Sequence, residues 1–159
     1  MALRTVRVEG DAVLNKISRP IKEMTPKILA LITDMLDTMY DTNGVGLAAP
    51  QVGILKRLVV IDVGDGPIVL VNPEILETDG EQTGDEGCLS VPGMAGQVTR
   101  PYYVKVKALD VNMEEVIYEG EGLLARAFCH EIDHLDGHLY TELVEGELHE
   151  VVYEEDDEE

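Results

Sequence analysis

Gly122-Leu123-Leu124-Ala125-Arg126-Ala127-Phe128-Cys129-His130-Glu131-Ile132-Asp133-His134-Leu135-Asp136 carries more information than any other stretch of this chain. Leu123, Leu124, Ala127, Phe128, Ile132 and Leu135 recur at spacings of three and four, the period of an amphipathic helix. Gly137 supplies a C-terminal stop. Positions i and i+4 of a helix share a face. His130 and His134 can therefore grip one metal ion, and Glu131 can reach its water as a general base.

Two histidines leave such a site one ligand short, because a catalytic zinc-type centre takes three protein ligands and keeps a position for water. The longer metalloprotease pattern wants a third His six residues after His134, where this chain has Tyr140. His138 lies beyond the helix stop, and Glu142 and Glu145 sit in an acidic run where any carboxylate would match. A better candidate is upstream. Glu86-Gly87-Cys88-Leu89-Ser90 places a thiol in a loop-to-strand setting, and thiolate is a strong ligand for divalent metals. A free Cys is also read as a small buried hydrophobe. A third segment, Gly44-Val45-Gly46-Leu47-Ala48-Ala49-Pro50-Gln51-Val52-Gly53, lacks the Lys-Ser/Thr of a phosphate loop. It reads as a tight extended stretch ending in a hydrogen-bond donor, Gln51.

In this order and spacing the three segments resemble the peptide deformylases. The resemblance covers most of the chain and implies removal of the N-formyl group from the initiator methionine of new bacterial polypeptides, with release of formate. It implies Cys88, His130 and His134 as metal ligands and Glu131 as the acid/base. Gln51 and the backbone N–H of Leu89 would be the oxyanion donors. Val45, Gly46 and Gly87 would offer a strand edge to the peptide. Val45, Leu123, Arg126 and Ala127 would line the pocket for the methionine side chain. The metal implied is Fe2+, although Zn2+, Ni2+ and Co2+ suit the same ligands. Arg100 is expected to pair with Glu86 or Asp133 behind the ligands. One departure is Cys129, where many members carry Gln; it sets a second thiol next to His130 in sequence. The competing enzymatic reading is a general zinc peptidase using a downstream Glu, which would not need Cys88.

With 159 residues, the chain is expected to form one catalytic domain over residues 1–147, followed by an acidic, disordered tail over 148–159. Twelve basic against 32 acidic residues give a net charge of −20, which disfavours binding to nucleic acid or an anionic membrane. No Lys or Arg follows Arg126, so no basic anchor for a ribosome is seen, although ribosome-proximal action on N-formylmethionyl chains fits the resemblance. Two Cys and no signal-peptide core at the N-terminus point to a reducing cytoplasm, and the resemblance implies a bacterial one.

The remaining pattern, strands mostly joined by short turns and two main helices, predicts an α+β fold with a second N-terminal helix; the resemblance implies mainly antiparallel sheets packed around the central metal-bearing helix. Thr25-Pro26 reads as N-cap and first helical residue, and Ile28, Leu29, Ile32, Met35, Leu36 and Met39 form one stripe ending near Asp41. Residues 57–63 and 67–71 read as a hairpin about Gly64-Asp65-Gly66. Tyr103–Leu109 alternates as a half-buried strand, and residues 115–119 follow as another.

Overall fold

The structure, a computed structural model, describes residues 3–151. Two helices and eight strands organise it: α1 (Pro26–Asp41), β1 (Gly46–Ala48), β2 (Leu58–Ile61), β3 (Ile68–Asp79), β4 (Gln82–Cys88), β5 (Val91–Arg100), β6 (Tyr103–Leu109), β7 (Glu115–Glu121), α2 (Leu123–Leu135) and β8 (Glu145–Glu150). An antiparallel five-stranded sheet runs in the order β1-β2-β3-β6-β7, and an antiparallel three-stranded sheet in the order β4-β5-β8. This is the expected α+β architecture.

The five-stranded sheet separates the two helices. Successive side chains on a strand point to opposite faces. Val59 and Ile61 of β2 join Leu70, Val104 and Val106 against Phe128, Ile132 and Leu135 of α2. Leu58 and Val60 join Leu47 and Val71 against Ile28, Leu31, Ile32, Met35 and Met39 of α1. All four residues of β2 are buried, as a strand covered on both faces requires. Burying a side chain such as Phe128 is worth roughly 1.5–3 kcal/mol.

The helix ends follow the sequence. Thr25 Oγ1 accepts the Ile28 N–H at 3.2 Å, and Pro26 occupies the first turn, where a missing N–H costs nothing. Gly137 ends α2 at φ 83°, and a Cβ there would meet the Asn15 backbone at 2.8 Å. Glycine is thus required twice at this position, by the backbone and by the close approach of the N-terminal segment.

Three expectations need correction. The strand expected to stop at Val71 continues to Asp79 through a bulge, in which Asn72 takes φ 52° and Pro73 escapes the ladder. There Asn72 grips Ile21, accepting its N–H and donating to its carbonyl, both at 2.8 Å. The second is the loop-to-strand setting read for Glu86–Ser90: Gln82–Cys88 is strand β4, and Leu89-Ser90 is the turn into its partner β5. The third is the tail expected from residue 148. His149 and Glu150 pair with Ala95 and Met94 within β8, so ordered chain runs past that boundary, and residues 152–159 lie outside the described residues. No helix among the described residues is long and apolar enough to cross a membrane.

Candidate active site

α2 carries His130, Glu131 and His134 on one buried face, and β4 delivers Cys88 at its end. The ligand atoms of Cys88, His130 and His134 lie within 4.8 Å of one another, with Cys88 Sγ 3.4 Å from His134 Nε2. Zinc-type bond lengths in a tetrahedron put sulfur and nitrogen about 3.6 Å apart, so Cys88 Sγ and His134 Nε2 already stand at ligand spacing. Nδ1 of His130 donates to Glu86 Oε2 at 2.9 Å, which leaves Nε2 for a metal.

The electrostatics favour a cation here. Burial opposes charge on His130, but Glu131, Cys88 and Glu86 outweigh it and raise its pKa well above the usual value. His134 is pushed well below the usual value, first by burial and then by repulsion from His130 and Arg100. A divalent ion would answer both tendencies, neutralising the acids while leaving the rings as neutral ligands. Burial, with help from Glu86 and Asp133, raises the Glu131 pKa to about 7. Its Oε1 is buried without a hydrogen-bond partner in the structure. A carboxyl near neutrality with an open oxygen is suited to moving protons.

Behind the ligands lies a buried ion cluster. Arg100 meets Glu86 through two hydrogen bonds of 3.1 Å and Asp133 through one of 2.7 Å. Both partners expected for Arg100 are therefore present. Arg126 reaches Glu86 at 3.4 Å and the Val98 carbonyl at 3.2 Å. Burial opposes the charge of Glu86, but His130 and Arg100 outweigh it and hold its pKa below the usual value.

Gln51, 1% exposed, accepts the Ala48 N–H at 2.9 Å through Oε1. Its amide nitrogen is thereby turned to Ser90 Oγ at 3.0 Å and Cys88 Sγ at 3.5 Å. The Ser90 N–H also donates to Cys88 Sγ at 3.4 Å, which fixes where the sulfur sits.

A cavity of 610 Å³ opens over these groups. Val45, Gly46, Gln51, Gly87, Cys88, Leu89, Leu123, Arg126, Ala127, His130 and Glu131 line it, and His134 stands behind Cys88. All twelve residues singled out from the sequence thus converge on one place. Glu86, expected as a partner of Arg100, also holds His130, and Ser90, for which the sequence suggests no role, touches both Gln51 and Cys88. Arg126 leans on Glu86 as well as facing the cavity. Cys129 does not line the cavity; it is buried among Phe128, Ile132 and Leu135, and burial pushes its thiol up to about 11.

A helix-borne His-Glu-x-x-His completed by a sheet-borne Cys defines a metallohydrolase centre. Comparison with known proteins narrows the class. The family model described as Polypeptide deformylase matches residues 3–148. A peptide deformylase of Agathobacter rectalis is 72% identical over 155 residues, 98% of each chain. One of Lachnoclostridium phytofermentans is 70% identical over 163 residues, the whole of each chain. The crystal structure of a peptide deformylase from Legionella pneumophila is 46% identical and superposes with a TM-score of 0.87, over 90% of this chain and 86% of that one. One from Synechococcus elongatus, in complex with actinonin, is 43% identical with a TM-score of 0.86, over 89% of this chain and 78% of that one. The chain belongs to the polypeptide deformylase family. It is a metal-dependent hydrolase that removes the N-formyl group from newly made polypeptides.

Proposed function

We propose that Cys88, His130 and His134 hold one Fe2+ and that Glu131, Gln51 and Leu89 carry out deformylation around it. The observation that carries this reading is the convergence of one thiol and two imidazoles beside a buried carboxyl whose Oε1 has no partner. When bound, the metal supplies Lewis acidity that lowers the pKa of a water to about 7. Glu131 takes the proton of the attacking water and returns it to the amine nitrogen as the C–N bond breaks, releasing formate. The Gln51 amide and the Leu89 N–H donate to the formyl oxygen as it gains charge; losing one such donor typically costs about 10²–10³-fold. Ala48 supports the Gln51 role by fixing which end of that amide faces the cavity.

The substrate enters as an extended peptide. β1 is the edge of the large sheet and β4 the edge of the small one, and both border the cavity. A strand laid between Val45-Gly46 and Gly87 would bond to both edges through its backbone and tolerate varied side chains. The methionine side chain enters among Val45, Leu123, Arg126 and Ala127. Val45 and Leu123 are 42% and 53% exposed, apolar surface that a bound methionine would cover. Gly46 and Leu89 leave room for the formyl hydrogen and exclude acetyl by size.

Two free cysteines support a reducing setting, the bacterial cytoplasm, where chains emerge from ribosomes. Anaerobically purified protein should contain about one iron per chain and release formate from a formyl-methionyl peptide. Cys88→Ala should do neither, whereas a peptidase relying on a downstream Glu would keep its activity. Zinc in the anaerobic preparation at full activity would overturn the assignment of iron.

A further inference from the structure

Charge is segregated along this chain. Residues 1–57 hold eight of the twelve Lys and Arg against six acids, while residues 58–159 hold four against twenty-six. The fold concentrates the first set. Arg4, Lys22, Lys27 and Lys56 line one cleft of 410 Å³ at the N-terminal end of α1, with Glu23 as the only acid among the described lining residues. Arg19 stands beside Lys56 as its β-bridge partner. Arg4 is paired with Asp34. Among the described residues Arg19, Lys22, Lys27 and Lys56 form no ion pair, and all four are exposed. The N-terminus of a sixteen-residue helix adds its own positive potential at the same end.

We propose that this cleft and its rim are a docking face for RNA phosphates on the ribosome. The proposal rests on the reading that the substrate is a chain still emerging from that particle. Charge complementarity selects the occupant. Three unpaired cations lining one cleft, with Arg19 beside them as the bridge partner of Lys56, are the arrangement that phosphate rewards through counterion release. Among the described lining residues Glu23 is the one acid, and charges farther from the cleft than about 8–10 Å are screened at physiological salt. No basic run in the sequence announces the face, since its cations come from positions 19 to 56 and are gathered only by folding. It departs from the expectation, drawn from net charge alone, that the chain avoids nucleic acid. Geometry suits the role. α1 is about 24 Å long, its N-terminus borders the cleft and its C-terminus leads into Gly44–Gly46 at the catalytic cavity. Docking would hold the cavity open and away from the RNA.

The test is co-sedimentation of the full chain with salt-washed ribosomes and with protein-free ribosomal RNA, alongside turnover of a formyl-methionyl peptide. Contact with about four phosphates predicts roughly 10²-fold weaker binding at 200 mM than at 50 mM salt. Lys22→Glu/Lys27→Glu/Lys56→Glu should lose at least tenfold in affinity for both partners at low salt, with peptide turnover within twofold. The milder Lys22→Ala/Lys27→Ala/Lys56→Ala should fall between, with an unchanged circular dichroism spectrum. Ribosome binding that survives the charge reversal, or is absent in the wild type, overturns the proposal. Binding to ribosomes without binding to naked RNA also overturns it, and assigns the face to an acidic protein. Failure of the wild type to release formate would instead strike the deformylase reading, since the two assays are independent.

Discussion

The Glu131 carboxylate lies directly against the Cα of Gly46: a Cβ at position 46 would stand 2.5 Å from Oε2 and 2.9 Å from the carboxyl carbon. Strand β1 and helix α2 are in contact here with no side chain between them. The proposed proton carrier is therefore held in place by a residue whose contribution is the lack of one.

Gly46→Ala should consequently act as a catalytic lesion. The methyl group has no room unless Glu131 turns away, and a misplaced general base loses most of its typical 10²–10⁴-fold effect. We expect turnover to fall at least about 10²-fold while metal content and circular dichroism stay near wild type. Near-normal turnover would show that the carboxylate does not need this position.

Glu86→Gln should weaken both the metal site and the fold. Glu86 accepts from His130 and Arg100 and, more distantly, Arg126, in surroundings where it is 5% exposed. Breaking a buried ion cluster by removing one partner typically costs about 3–5 kcal/mol. Loss of a group that orients a ligating His typically costs about 10–100-fold in metal affinity. Chemical denaturation and competition with a chelator measure the two effects separately, and a variant with wild-type metal affinity would contradict the role given to Glu86.

The two cysteines should differ in reactivity. Cys88 faces the cavity, whereas Cys129 is packed among core residues with its thiol pushed up to about 11. After chelation of the metal, a thiol-alkylating reagent should modify Cys88 and leave Cys129 untouched until the protein is unfolded. Metal should protect Cys88. Mass spectrometry showing Cys129 labelled in the folded protein would refute this.

Removing the acidic segment should spare the chemistry. Residues 152–159 follow Val151, which borders the cavity but contributes none of the proposed ligands or donors. Truncation after Val151 should leave turnover of a neutral formyl-methionyl peptide within about twofold. A larger loss would place part of the substrate site in that segment.

Much of this arrangement is legible in the sequence, and the illegible part has a physical cause. α1, β6 and α2 announce themselves because apolar residues repeat at 3.6 or 2 and because Thr25, Pro26 and Gly137 mark ends. β4 does not, since Gln82-Thr83-Gly84-Asp85-Glu86-Gly87-Cys88 is polar and its most buried member is held by ions instead of by apolar packing. β8 offers little more, with Leu148 its one apolar side chain. Glu86 had one usable signal. Arg100 and Arg126 are two of only four cations after residue 57, and both converge on it. The Asn72-Pro73 pair hid the rest of β3 because turn residues inside a bulge resemble a strand end.

The most direct test of the central claim is formate release by Glu131→Gln, measured on protein whose metal content is determined in the same sample. The account predicts metal near wild-type stoichiometry with turnover reduced at least about 10²-fold, because Gln can fill the space against Gly46 but cannot accept and return a proton. Loss of the metal in that variant, or near-normal formate release with the metal retained, would contradict it.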